Sequence, residues 1–99
     1  MLFMIQCADK PNSLDLRMQI RPTHIEYIHD HEEKVFVAGP TLADDGVAMT
    51  GTVIILEAPD RAAAEAFSNG DPYYKGGLFA SRTITPWKLI TFYPAAAGK

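Results

Sequence analysis

Apolar residues crowd into four short runs along this 99-residue chain, and the way each run alternates with polar positions predicts an element. Leu2 to Ala8, in MLFMIQCA, is rich in strand formers and stops at the turn-like DKPNS, which makes it a first strand. KVFVAGP is a second short strand, closed by Gly39 and Pro40. TVIILEA is dense in β-branched residues with no polar break until its end, the pattern of a covered strand near a sheet centre. LFASRTITPWKLITFY reads mostly as strand, with Pro86 marking an edge or a bulge.

Between these runs the period lengthens. Ser13 is placed to cap a helix in which Leu14, Met18, Arg21, Ile25 and Ile28 recur at helical spacing, an apolar stripe interrupted by one arginine. Pro22 falls inside that run and predicts a kink or a split there, with Pro22 opening the second segment. PDRAAAEAFSNG is a second helix, opened by Pro59 or Asp60, holding Ala62, Ala63, Ala66 and Phe67 inside and stopping near Gly70. The AAAGK tail is expected to fray.

The order β-α-β-β-α-β predicts a ferredoxin-like α+β fold, an antiparallel sheet with two helices on one face, as a single domain over residues 1–93 with a C-terminal tail at 94–99. The third and last strands carry more apolar side chains than one helix layer can cover. A second copy of the chain is therefore expected against the other sheet face, in a homodimer whose two sheets form a barrel-like unit.

Composition narrows the function. With 47% apolar and 21% charged residues the chain has the balance of a folded protein. Its net charge of −3, with nine Lys and Arg scattered rather than massed, argues against nucleic-acid binding, which rests on a basic stripe. The apolar run of the N-terminus has no basic region before it and is too short for a signal or a membrane span, so a cytoplasmic location is expected. Cys7 is the single cysteine and has no His or basic residue close in sequence; a small buried hydrophobe is the better account of it than a nucleophile.

Candidate chemistry gathers in two places. In RMQIRPTHIEY, Arg17, Arg21 and His24 are spaced by four and three, which puts two cations and an imidazole on one side of a helix, provided Pro22 does not turn the second segment away. That set suits an anionic ligand such as a carboxylate, although a solvated basic edge would have the same spacing. His29 and His31 are two apart and point different ways on a helix, so HDHEEK reads as a charged helix end with no metal site. In SNGDPYYKGGLF, Asp71 has three possible roles: cap of a short turn beginning at Pro72, organiser of the loop, or a carboxylate facing His24 across two neighbouring helices. Tyr73 and Tyr74 read as a pocket wall or as turn packing, and Trp87 as core or interface.

RPTHIEYI, VFVAGP, GTVIILEA, DPYYKGGLF and ITPWK, in this order, resemble the YciI-like family, or YCII-related domain, from about Met1 to Tyr93. The resemblance implies a ferredoxin-like fold in a dimeric α+β barrel and a His and Asp pair in a small cleft, at the positions of His24 and Asp71 here. One relative is a dehydrochlorinase of a chlorinated hydroxyquinol, and muconolactone isomerase shares the barrel architecture. Two functions follow. The first is an enzyme performing elimination or isomerisation on a small anionic or cyclic compound without a cofactor: His24 moves the proton, Asp71 orients it, and Arg17, Arg21 and Tyr73 bind the substrate. The second is a non-catalytic ligand-binding or accessory protein using the same cleft.

Overall fold

Strand β1 (Leu2–Asp9) alternates strictly, with Phe3, Ile5 and Cys7 buried on one face. A computed structural model describes residues 1–98 and places this strand inside a four-stranded antiparallel sheet of order β2-β3-β1-β4. β2 is Val35–Leu42, β3 Met49–Glu57 and β4 Phe79–Trp87. In register, Phe3 opposes Leu56, Ile5 opposes Ile54 and Cys7 opposes Thr52, so these residues share one face. Helix α1 (Leu14–Asp30) and helix α2 (Arg61–Gly70) belong to that face, and a one-turn helix α3 (Pro72–Lys75) follows α2 directly. Phe3, Ile5, Ile54, Leu56, Ala64 and Phe67 form the centre of the core. Element order and sheet topology are those of a ferredoxin-like α+β fold.

Several local expectations change. Helix α1 runs unbroken through Pro22. A proline there removes one backbone hydrogen bond, and Pro22 lies on the exposed side of the helix. Ser13 occupies the N-cap position without capping; its hydroxyl donates to the Pro11 carbonyl instead (3.3 Å). α2 is capped as expected at Asp60, which accepts from the Ala63 amide (2.8 Å). β2 is not closed at Gly39 and Pro40 but continues to Leu42, since an edge strand tolerates a proline. β4 is the other edge strand and ends at Trp87, so Lys88–Tyr93 is not strand. That segment brings the Phe92 ring to 6.3 Å from Phe36 of β2. The tail winds a 3-10 turn at Pro94–Gly98, and Lys99 lies outside the described residues.

The largest departure is the rotation of α1. Leu14, Met18 and Ile25 of the expected apolar stripe are about half exposed, while Arg17 and His24 are the buried residues of the helix. No helix among the described residues is long and apolar enough to cross a membrane.

Cys7 sits on the helix-facing side of β1, and burial, reinforced by the Asp71 charge, pushes its thiol up to about 12. The reactive thiolate is thus absent at neutral pH. Iodoacetamide at about pH 8 is expected to leave the folded protein unmodified by mass spectrometry and to alkylate Cys7 fully in denaturant, because an ordinary thiol is partly ionised there. Modification of the native protein would show that Cys7 is neither buried nor inert.

Candidate active site

The polar face of α1 lies on the sheet because the sheet holds partners for it. Asp9 shares the helix-facing side of β1 with Cys7, two residues on, and Thr52 holds the same position on β3. Arg17 uses Nη1 to donate to both oxygens of Asp9 (3.1 and 3.0 Å) and Nη2 to donate to Thr52 Oγ1 (2.9 Å). Both members of the ion pair are nearly inaccessible, at 3% and 7% side-chain exposure. One cost remains, since the buried Arg17 Nε has no hydrogen-bond partner. The guanidinium carbon also stands 4.6 Å from the centre of the Tyr73 ring.

Two turns along the same helix face, His24 Nδ1 lies 2.9 Å from Asp71 Oδ1. A carboxylate only accepts, so this bond puts the proton of the neutral ring on Nδ1 and leaves the lone pair on Nε2. Nε2 makes no hydrogen bond among the described residues. Asp71 is held in turn by its neighbours. Its Oδ1 accepts from the Tyr73 amide (2.9 Å), which caps α3, and its own amide donates to the Ser68 carbonyl (3.2 Å). Two of the three roles open to Asp71 therefore coincide, cap and partner of His24.

Tyr73 fills the space between the two polar pairs. Its ring is 1% exposed and stacks on His24 at 4.0 Å with planes 17° apart, while Arg17 sits over it. Burial pushes its phenol above the usual tyrosine range, against the pull of the Arg17 and Arg21 cations. The helix junction that presents Asp71 is set by close packing. Gly70 ends α2 where any Cβ would collide with the Tyr27 hydroxyl, which donates to the Phe67 carbonyl (2.7 Å).

Arg17, Arg21, His24 and Tyr73 line one cavity of about 210 Å³, so the helical spacing of the first three survives Pro22. Their roles diverge. Arg17 is committed to Asp9 and Thr52, whereas Arg21, half-buried at the wall, has no ion pair or hydrogen bond among the described residues. The remaining wall is mostly apolar: Ile25 and Ile28 from α1, Ala38 and Pro40 from β2, Met49 from β3. His29 and His31 stay outside it. His29 faces Glu32 at 3.7 Å on the surface, and His31 Nδ1 bonds the Tyr27 carbonyl at 2.7 Å. Asp9 and Thr52 were missed by motif reading, although the alternation of β1 and β3 points both at the helix side. Pro40 and Met49 had no local signal, being brought to α1 only by the β2–β3 pairing.

A ferredoxin-like domain with a His–Asp pair on one wall of a small, mostly apolar cavity is thus the class of protein that the fold and site define. The family model of the YCII-related domain matches residues 1–88. The chain is 35% identical over 98 aligned positions to protein YciI of Escherichia coli O6:H1, covering 91% of this chain and 99% of that protein. A protein of Haemophilus influenzae is 28% identical over 97 positions, with the same coverage. Among solved structures, the 5-chloro-2-hydroxyhydroquinone dehydrochlorinase TftG of Burkholderia phenoliruptrix AC1100, in complex with 2,5-dihydroxybenzoquinone, superposes with a TM-score of 0.82 at 37% identity, over 89% of this chain and 94% of that one. An antibiotic biosynthesis monooxygenase shares the fold (TM-score 0.55, 18% identity, 92% of this chain and all of that one). This chain belongs to the YciI-like family of YCII-related domains.

The buried pair and the unpaired cation are expected to separate in stability measurements. Asp9→Ala leaves Arg17 charged and buried and should cost about 3–5 kcal/mol in urea denaturation. Arg21→Ala should change stability by no more than about 0.5 kcal/mol, because it leaves no buried partner unpaired. Equal losses would contradict the division of roles between the two arginines.

Proposed function

We propose that this protein is a small-molecule enzyme in which His24 transfers a proton in the elimination or isomerisation of a small anionic or cyclic compound. The observation that carries the reading is the 2.9 Å bond from His24 to the buried Asp71, in a ring that also forms a wall of the cavity holding Arg21. An imidazole whose Nδ1–H is fixed by a carboxylate offers a basic Nε2 and is stabilised when that nitrogen takes up a proton. Nε2 removes a proton from the substrate, and the electron pair left behind moves into the ring or an enolate. In elimination a leaving group such as chloride departs with its bonding pair. In isomerisation His24 returns the proton to a different carbon. Arg21 holds the negative charge, and Tyr73 keeps the imidazole plane in place. This chemistry draws on side chains alone and calls on no cofactor.

The dehydrochlorinase TftG supports the reading as a relative of similar fold and 37% identity whose reaction is an elimination. The cavity size and its apolar wall suit a single ring better than an extended substrate.

The working unit in this reading is a homodimer. The sheet face away from the helices carries Met4, Val53, Ile55 and Trp87, and Val37 and Trp87 are 49% and 38% exposed. Ile90, Phe92 and Tyr93 extend the apolar surface. Packing that face on its copy would form the α+β barrel.

Two measurements test these statements. With 5-chloro-2-hydroxyhydroquinone as first substrate and chloride release as readout, His24→Ala should lower kcat by about 10²–10⁴-fold with 2,5-dihydroxybenzoquinone still bound. Arg21→Ala should mainly raise KM, by about tenfold or more, as loss of a hydrogen bond to a charged group does. Binding of the quinone with no turnover of halogenated or isomerisable ring compounds would favour the ligand-binding alternative. Light scattering should give twice the chain mass of 10.9 kDa, and Val37→Asp should reduce it; a monomer would remove the barrel.

A further inference from the structure

We propose that Arg82, outside the cavity, is a positioning residue that sets the geometry of the His24–Asp71 pair from the far side. The proposal rests on the reading of that pair as the proton-transfer group, and its physical core is testable without a substrate.

Arg82 lies on β4 opposite Cys7 of β1, on the helix-facing side of the sheet. Its Nη1 donates to Ser68 Oγ (3.2 Å) and to Asn69 Oδ1 (2.7 Å), in the last turn of α2. Its guanidinium carbon stands 4.2 Å from the centre of the Tyr74 ring, in α3. Asp71 is the link between these two helices and falls between the gripped positions, 68 and 69 on one side and 74 on the other. The Arg82 side chain makes no hydrogen bond to Asp71 or His24 among the described residues; its contacts are with the residues on either side of Asp71.

Its influence on the pair has a short route. The Asp71 amide donates to the Ser68 carbonyl, and its Oδ1 accepts from the Tyr73 amide; each bond involves a residue that Arg82 holds or the neighbour of one. α3 is a single turn with no stability of its own, so something outside must hold it. On the α1 side the support is the Tyr27 hydroxyl, bonded to the Phe67 carbonyl against Gly70. On the β4 side it is Arg82. One guanidinium nitrogen serves both acceptors while the planar group lies over the Tyr74 ring, and that stacked, planar contact is specific to arginine.

Supporting residues of this kind decide whether a hydrogen bond of 2.9 Å is kept or loosened by a fraction of an ångström. Loosening the bond weakens the preference for the Nδ1–H form of His24, which the carboxylate enforces. In catalysis, misplacement of about 1 Å costs on the order of 10²-fold in rate. A partial loosening is expected to cost about tenfold in kcat. KM should stay within a factor of about two, because Arg82 contributes nothing to the cavity wall.

The experiment is ¹⁵N NMR of imidazole-labelled, substrate-free protein, reading the His24 tautomer in the wild type, Arg82→Met, Arg82→Lys and Asn69→Ala. Arg82→Met keeps the stem but removes the guanidinium, and it should shift His24 toward the mixed tautomers of an unpaired imidazole, with His29 and His31 unchanged. Arg82→Lys retains the charge and donors but not the planar face over Tyr74, and should recover the signature in part. Asn69→Ala removes one acceptor without touching the core and should shift it in the same direction by less, which keeps the test valid where Arg82→Met folds poorly. Wild-type tautomer signals in Arg82→Met and Asn69→Ala would overturn the proposal. Failure of His24→Ala to affect turnover would overturn the catalytic reading while leaving the tautomer result standing, so the two failures are distinguishable.

Discussion

A charge can be buried under a helix only where a counter-charge waits for it, and the Arg17–Asp9 pair is the constraint on which the arrangement of this protein turns. Asp9 ends β1 in step with Phe3, Ile5 and Cys7, so the strand's alternation delivers a carboxylate to the helix side of the sheet. Arg17 meets it there and also bonds Thr52. With that contact made, the rotation of α1 is determined. Turning the helix to bury Leu14, Met18 and Ile25 instead would leave Asp9 and Asp71 beneath it without partners. The unpaired carboxylates would cost more than three half-buried aliphatic side chains return.

The same rotation creates the cavity. Placing arginine and histidine where a helix normally puts leucine leaves space between α1 and β2, and apolar residues of both elements line it. Within it the charges are sorted: Arg17 is neutralised by Asp9, Asp71 is tied to His24 and to the start of α3, and Arg21 has no ion pair or hydrogen bond among the described residues. Tyr73 joins the two buried pairs through one ring, stacked on the imidazole on one side and under the guanidinium on the other. Loss of either pair would therefore disturb the other through a shared side chain.

The double use of Asp71 explains why the segment after α2 is so short. One carboxylate oxygen both caps α3 and holds the imidazole, so no separate loop is needed to present the site. The packing of Gly70 against Tyr27 and the grip of Arg82 on Ser68 and Asn69 place this junction from opposite sides. A site of this kind is held at a helix junction packed from both sides, rather than presented on a long loop.

Element order, the central position of β3 and a helix start at Pro59 or Asp60 were legible in local pattern, and the pairing of His24 with Asp71, one of three roles open to Asp71, in the family resemblance that the ordered motifs carry. The helix periodicity misled at α1, where counting apolar residues selected the wrong face. An apolar stripe predicts burial only when nothing polar on the other face has a better partner, and those partners, Asp9, Thr52 and Asp71, lie 8, 35 and 47 residues away from Arg17 and His24 along the chain. The continuity of α1 through Pro22 and the length of β2 beyond Pro40 were likewise decided by position, on an exposed helix side and at a sheet edge. The sequence by itself determined which elements form and singled out His24 and Asp71 as a candidate pair. The tertiary structure alone decided which of the two arginines is spent on folding and which stays unpaired among the described residues, because that depends on a counter-charge brought near by strand pairing.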